Sequence, residues 1–195
     1  MKKITGIPIT LHGTEFLCAS FKKDEEEALC IYKGTPEDFI KEDVIVRIHS
    51  GCVTSEVFGM DNCDCKWQLD RAIEIISMSS AGIIVYLPGQ EGKGNGLFNK
   101  IRSFEFQKIG LRSADAYEMI GLPSDARKFN FAIQILKDFG IKCIKLITNS
   151  PAKVMACVDG GLVVLERIPV VMKNPNQSIK QLLENKRIYF NHYIN

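Results

Sequence analysis

Cys52, Cys63 and Cys65 fall within fourteen residues, at the spacing Cys, ten residues, Cys, one residue, Cys. If the three thiols meet, the chain must double back between 52 and 63. Thiolates bind zinc well, and three protein ligands leave a fourth tetrahedral position for water, the arrangement of a catalytic rather than a structural zinc. A structural site needs a fourth ligand, and His49 is the candidate at hand, although Cys52 competes for the same local geometry. Three buried free cysteines are the other reading, since cysteine packs as a small hydrophobe. Against it, Cys63 and Cys65 lie among Asp61, Asn62 and Asp64 rather than in an apolar run. The spacing by itself leaves both open.

The flanking pattern predicts an α/β fold, a mixed β-sheet with packed helices in a single domain. Residues 4–10 and 15–21 read as strands around the His12-Gly13 turn, 28–32 as a third, and 22–27 as a charged loop between them. The β-branched run 44–48 leads directly into Ser50 and Cys52. Leu69, Ala72, Ile73 and Ile76 then recur at helical spacing, followed by a buried strand at 83–87. Gly92, Gly94 and Gly96 precede a helical pattern of Leu97, Ile101 and Phe104 closed by Gly110, an apolar stripe expected to face the core. Backbone amides at such a loop can approach phosphates, but the spacing is neither a P-loop nor a dinucleotide fingerprint, and a plain flexible loop fits equally. Ser113 is placed to cap a short helix. Asp125-Ala126-Arg127 is expected to open another, with the stripe Phe129, Ala132, Ile133 and Leu136 stopped by Gly140. A strand at 144–147, a helix entered through Ser150-Pro151 and a strand at 162–171 follow. The reading makes 1–173 one domain, which the resemblance described below implies to be catalytic, and 174–195 a polar tail carrying one short helix at 179–184.

Composition narrows the class. At 195 residues with 46% hydrophobic and 25% charged side chains, the chain can bury one sizeable core. A net charge of +2 gives no general attraction for nucleic acid, so any anion site must be a local cluster of Lys and Arg. No apolar run approaches membrane-spanning length. Met1-Lys2-Lys3 is followed by a segment broken at Gly6 and Pro8, which predicts no secretory leader. Seven cysteines, an odd number, then read as reduced thiols or ligands in a cytoplasmic protein.

Six blocks together resemble one family. Arg47-Ile48-His49-Ser50-Gly51-Cys52, Cys63-Asp64-Cys65, Gln90-Glu91-Gly92-Lys93, Asn99-Lys100-Ile101-Arg102, Asp125-Ala126-Arg127 and Thr148-Asn149-Ser150-Pro151-Ala152-Lys153 stand in the order and spacing of GTP cyclohydrolase II. That family opens the imidazole ring of GTP, releases formate and diphosphate, and supplies the pyrimidine precursor of riboflavin. The resemblance implies one zinc per chain on Cys52, Cys63 and Cys65, attack of water at C8 of guanine, Mg²⁺ with the substrate phosphates, and a homodimer. It implies Asp125 as a proton acceptor and Arg127 as a nucleophile toward the α-phosphate. Chemistry offers a second account, because arginine keeps its proton up to about pH 12: Asp125 caps a helix and Arg127 clamps phosphate. Nucleotide contacts are implied for Arg47, His49, Ser50, Gln68, Glu91, Gly92, Lys93, Ser113, Thr148 and Lys153, with the Glu91 carboxylate suited to the N1 and N2 donors of guanine. For Gln68, Ser113 and Lys153, a place in the first turn of a helix is the plainer explanation.

Three positions depart from the resembled pattern: Gly51 for the usual glutamate, Lys93 for the usual arginine, and Phe104 for a catalytic tyrosine. Lysine keeps charge but loses the bidentate fork that suits phosphate. Phenylalanine cannot donate a proton, which predicts that part of the product leaves as a formylamino-pyrimidine nucleotide. Two further alternatives follow, a specialised enzyme on GTP or a related purine nucleotide outside riboflavin synthesis, and a non-catalytic purine-nucleotide-binding module.

Overall fold

The computed structural model describes residues 1–41 and 43–194. Position 195, at the end of the expected tail, lies outside them. Strands β1 (Lys2–Leu11), β2 (Thr14–Lys23) and β3 (Glu26–Lys33) form an antiparallel meander. The charged stretch 22–27 is a tight hairpin within it rather than a loop, with Lys22 opposite Glu27 and Lys23 opposite Glu26, so cross-strand charge pairing extends both strands. After α1 (Pro36–Lys41), β4 (Val44–Ser50) and β5 (Gly82–Leu87) pair in parallel, as do β4 with β6 (Cys143–Ile147) and β6 with β7 (Val163–Ile168). The seven strands lie in the order β1-β2-β3-β5-β4-β6-β7, a mixed sheet in an α/β single domain.

Alternation along the strands sends side chains to two cores. On one face, α3 (Cys65–Ser77) buries Ala72 and Ile76 against Phe16, Ile84 and Ile147. On the other, α6 (Asn130–Asp138) and α7 (Pro151–Asp159) bury Phe131, Leu136 and Cys157 against Phe21, Val46, Ile48 and Val85. The helix following β4 and the helix following β6 therefore cover opposite faces, which opens a crevice at the carboxyl ends of these neighbouring strands. Such a switch point is where open α/β sheets bind ligands.

Three elements differ from the sequence reading. The helix expected to open at Asp125 begins at Asn130, because the Asp125 carboxylate turns back onto the Arg127 backbone N–H (3.1 Å) and side chain and holds 125–129 out of helical geometry. Helix α4 (Gly96–Lys108) does not bury its apolar stripe: Leu97 and Ile101 are each 46% exposed and Phe98 is 79% exposed, while the small Ser103 faces inward. The weak helix of the tail is instead α8 (Gln177–Phe190), capped by Asn176, whose side chain accepts from Ile179 N–H, and anchored by buried Ile179 and Leu183. Helices α2 (Val53–Glu56) and α5 (Ser113–Met119) complete the set, with Arg112 rather than Ser113 in the capping position of α5. Among the described residues no helix is long and apolar enough to cross a membrane.

Candidate active site

The crevice is a cavity of about 170 Å³. Strand β4 delivers Arg47, His49, Ser50 and Cys52 to it, the turn after β5 delivers Gln90 through Lys93, and the β6–α7 junction delivers Thr148 and Lys153. Two bonds stitch β4 to its neighbours across the switch point: Arg47 donates to the Ile147 carbonyl (3.1 Å), and Lys153 donates to the Ile48 carbonyl (2.8 Å).

Cys52, Cys63 and Cys65 converge with all three sulfurs within 4.8 Å of one another, and the Cys52 to Cys63 separation is 3.7 Å. Sulfurs each about 2.3 Å from a common zinc at tetrahedral angles stand about 3.8 Å apart, so the donor set fits zinc. Hydrogen bonds from Cys63 and Cys65, with the Lys100 ammonium at 3.0 Å, pull the Cys52 thiol far down, while the same contacts push Cys63 and Cys65 up. A divalent metal on these three sulfurs would be held by thiolates, so its binding would release their protons. His49 does not join it. Arg47 donates to His49 Nδ1 (3.3 Å), so the proton sits on Nε2 and is donated to Glu56 (2.8 Å). Burial holds this imidazole neutral, down to about 4.

Gly51 follows from the same corner. A Cβ there would lie 3.0 Å from the Tyr86 hydroxyl, which donates to Glu56 (2.6 Å), and 3.2 Å from Pro88. Space that a side chain at 51 would need is filled by this Tyr86–Glu56–His49 cluster, which places a carboxylate behind β4.

The turn after β5 passes through left-handed backbone at Gly92, Lys93 and Gly94, with φ of 60°, 57° and 82°. Lys93 is an uncommon residue for that region. Gly94 is required by contact, since a Cβ would approach Ala126 to 2.9 Å; the Lys93 carbonyl there accepts from Ala126 N–H (2.9 Å) and docks the Arg127 segment against the turn. The Glu91 carboxylate accepts from Val53 N–H (2.6 Å), Gly92 N–H (2.9 Å) and Lys100 (2.8 Å), so it ties the turn to the cysteine corner.

Arg127 lines the cavity and is gripped by Asp125 through Nε and Nη2. Against the penalty of burial, that guanidinium lowers the Asp125 carboxyl. Of the residues singled out from sequence, Asp125 alone stands behind the wall; Cys52, Cys63, Cys65, Arg47, His49, Ser50, Gln68, Glu91, Gly92, Lys93, Phe104, Ser113, Arg127, Thr148 and Lys153 all line it. Sequence reasoning missed Lys100, although it lies inside a recognised block, as well as Gln90, Tyr117 and the contribution of α8. Lys186 of α8 donates to Asp64 (2.7 Å), which also accepts from Gln68, which accepts from Arg47 (2.7 Å). Phe190 covers the Lys93 ammonium at 4.5 Å from ring centre, and burial lowers that ammonium to about 8.

Arg47, Lys93, Lys100, Arg127, Lys153 and Lys186 surround the cavity, and Glu91 is its only carboxylate among the described residues. A nearly neutral chain therefore gathers basic side chains in one cleft, beside three thiols at zinc-ligand spacing, with burial holding the Lys153 ammonium well below its ordinary value. Such a cleft suits a phosphorylated anion.

Comparison with known proteins is consistent with this. The chain is 38% identical over 177 residues to the riboflavin biosynthesis protein RibBA of Mycobacteroides abscessus, covering 89% of this chain and 42% of the relative. It is 41% identical over 151 residues to RibBA of Aquifex aeolicus, covering 77% and 37%. A probable bifunctional riboflavin biosynthesis protein of Oryza sativa is 34% identical over 194 residues, covering 98% and 36%. The chain spans about two fifths of the length of these relatives. A family model described as GTP cyclohydrolase II matches residues 2–169, ending before α8, and on that match the chain belongs to the GTP cyclohydrolase II family.

Proposed function

We propose that this chain is a zinc-dependent GTP cyclohydrolase II that opens the guanine imidazole ring at C8 and releases formate and diphosphate. The carrying observation is the convergence of Cys52, Cys63 and Cys65 at metal-ligand spacing inside a cleft ringed by six basic side chains. Zinc held by Cys52, Cys63 and Cys65 would lower the pKa of a bound water and make a hydroxide nucleophile, the three thiolates making it a weaker acid than an imidazole-ligated zinc. Lys100, at 3.0 Å from Cys52, offsets part of the thiolate charge. Arg127, oriented by Asp125, faces the α-phosphate and stabilises the negative charge that develops as diphosphate leaves. Its grip by a carboxylate supports a charged clamp better than a neutral nucleophile. Lys93, Lys153 and Lys186 take the outer phosphates, with Mg²⁺ bound mainly through substrate oxygens and water. Arg47, Gln68, Ser113 and Thr148 shape the wall around the nucleotide. His49, with both ring nitrogens bonded inside the protein, positions Arg47.

A second reading concerns how far the reaction runs. Phe104 lines the cleft without a proton to offer, and burial raises the phenol of Tyr117, which also lines it. This favours partial escape of the formylamino-pyrimidine nucleotide. The exposed apolar face of α4, Leu97, Phe98 and Ile101, supports contact with a second copy of the chain.

Incubation with GTP, zinc and Mg²⁺ followed by mass analysis tests the activity: diphosphate and a ring-opened pyrimidine are expected, and unchanged GTP refutes it. Cys63→Ser should lose both zinc and turnover, whereas Cys143→Ser, on a strand away from the cleft, should keep them.

A further inference from the structure

Among the described residues, two buried side-chain polar atoms have no hydrogen-bond partner, the Ser50 hydroxyl oxygen and the Gln90 carboxamide oxygen. Both residues line the one cleft. Buried polar groups are nearly always paired, so two orphans in one wall mark groups whose partner is the ligand. A hydroxyl such as Ser50 can donate or accept and carries little discrimination. Gln90 is different. Its Nε2 donates to the Lys128 carbonyl at 3.0 Å, and turning the amide over would set two acceptors face to face, so the network fixes Oε1 as the unpaired atom. A carboxamide oxygen can only accept.

The rest of the cleft has the opposite character. Its basic side chains are donors suited to phosphate oxygens, which offer no proton in return. The neighbouring carboxylate of Glu91, which the sequence marks for the guanine edge, already accepts from Val53, Gly92 and Lys100. A guanosine moiety brings donors, N1–H, its 2-amino group and its ribose hydroxyls, and these need an uncommitted acceptor.

We propose that Gln90 is a specificity-determining residue of the site, its Oε1 accepting a hydrogen bond from the 2-amino group or a ribose hydroxyl of the nucleotide. The inference rests on the GTP reading above and deepens it. A site built to bond a substrate N–H or O–H rejects the analogue lacking that group, because the acceptor is then left buried and unpaired.

The test compares kcat/KM for GTP, for ITP, which lacks the 2-amino group, and for 2′-deoxy-GTP and 3′-deoxy-GTP, each lacking one hydroxyl, in the unmodified protein and in Gln90→Met. Methionine keeps the length of the side chain and removes the acceptor. The expected result is that the unmodified protein disfavours one of the analogues by about 5- to 100-fold and that Gln90→Met erases this preference, mainly through KM. Which analogue responds identifies the donor. A ratio between substrates does not depend on how much of the variant is folded, so partial misfolding cannot imitate the result; Gln90→Leu should behave alike. If Gln90→Met leaves every ratio as it was, the proposal is overturned. If the unmodified protein consumes none of the nucleotides, the GTP reading fails and the proposal falls with it.

Discussion

On the proposed reaction, the side chain at Phe104 would set how completely ring opening finishes. Ring opening needs water at C8 and then a second attack on the formyl carbon, each through a state with charge on oxygen. Loss of one donor to such a charge slows a step by about 10²- to 10³-fold, enough for a formamide to leave before the second hydrolysis. Formate should therefore appear at less than one per GTP consumed, and Phe104→Tyr should raise the yield. Equal amounts at early times would show that another group, with Tyr117 the one phenol lining the cleft among the described residues, does the work. Arg127 gives a second expectation at this scale. As a charged clamp it should be partly replaceable: Arg127→Ala eliminates diphosphate release with zinc retained, and Arg127→Lys keeps some of it. Complete loss with lysine would return weight to a role that only the guanidinium fills, since lysine lacks the planar fork.

Among the elements, those built from short-range pattern were legible in the sequence and those placed by distant contacts were not. The thiol trio could be read because its members lie within fourteen residues and end a β-branched strand. Strands β4, β5 and β6 announce themselves by apolar runs that both faces of a parallel sheet demand. The stripe on α4 misled, because periodicity identifies an apolar face without saying what covers it. Helix α8 misled in the opposite sense. Its role hangs on Lys186 meeting Asp64 from 122 residues away, a contact with no local signature. Asp64 is fully buried on its side chain, so removing the cation strands a charge. Lys186→Met should lower stability by about 3 kcal/mol, and adding Asp64→Asn should restore much of it, as measured by denaturant unfolding. An additive double mutant would mean that α8 is held by its apolar contacts alone.

At the scale of the whole molecule, the cleft stores basic groups in their uncharged or costly charged forms, and this ties stability to pH. His49 is neutral inside the fold down to about 4, against 6.5 for the free side chain, with burial the leading cause. His192, half-buried at the cavity wall, is lowered to about 3, with desolvation the leading cause. A base whose folded value is depressed takes up protons in the unfolded chain first. The unfolded state therefore gains from acid as pH drops below 6.5, and the difference keeps growing until the folded value is reached. For His49 the full effect is about 3 kcal/mol between pH 6.5 and 4. Glu56 acts in the same direction lower down: against burial, its hydrogen bond from His49 lowers its carboxyl, so the contribution is lost as pH falls below 4.5. The thermal midpoint should fall steadily from pH 7 to 5. Acid also protonates thiolates and strips metal, so the isolating measurement is a comparison with His49→Gln, which can still accept from Arg47 and donate to Glu56 but cannot gain a proton. A shallower pH profile for His49→Gln is expected, and parallel profiles would assign the acid sensitivity to the cysteines instead.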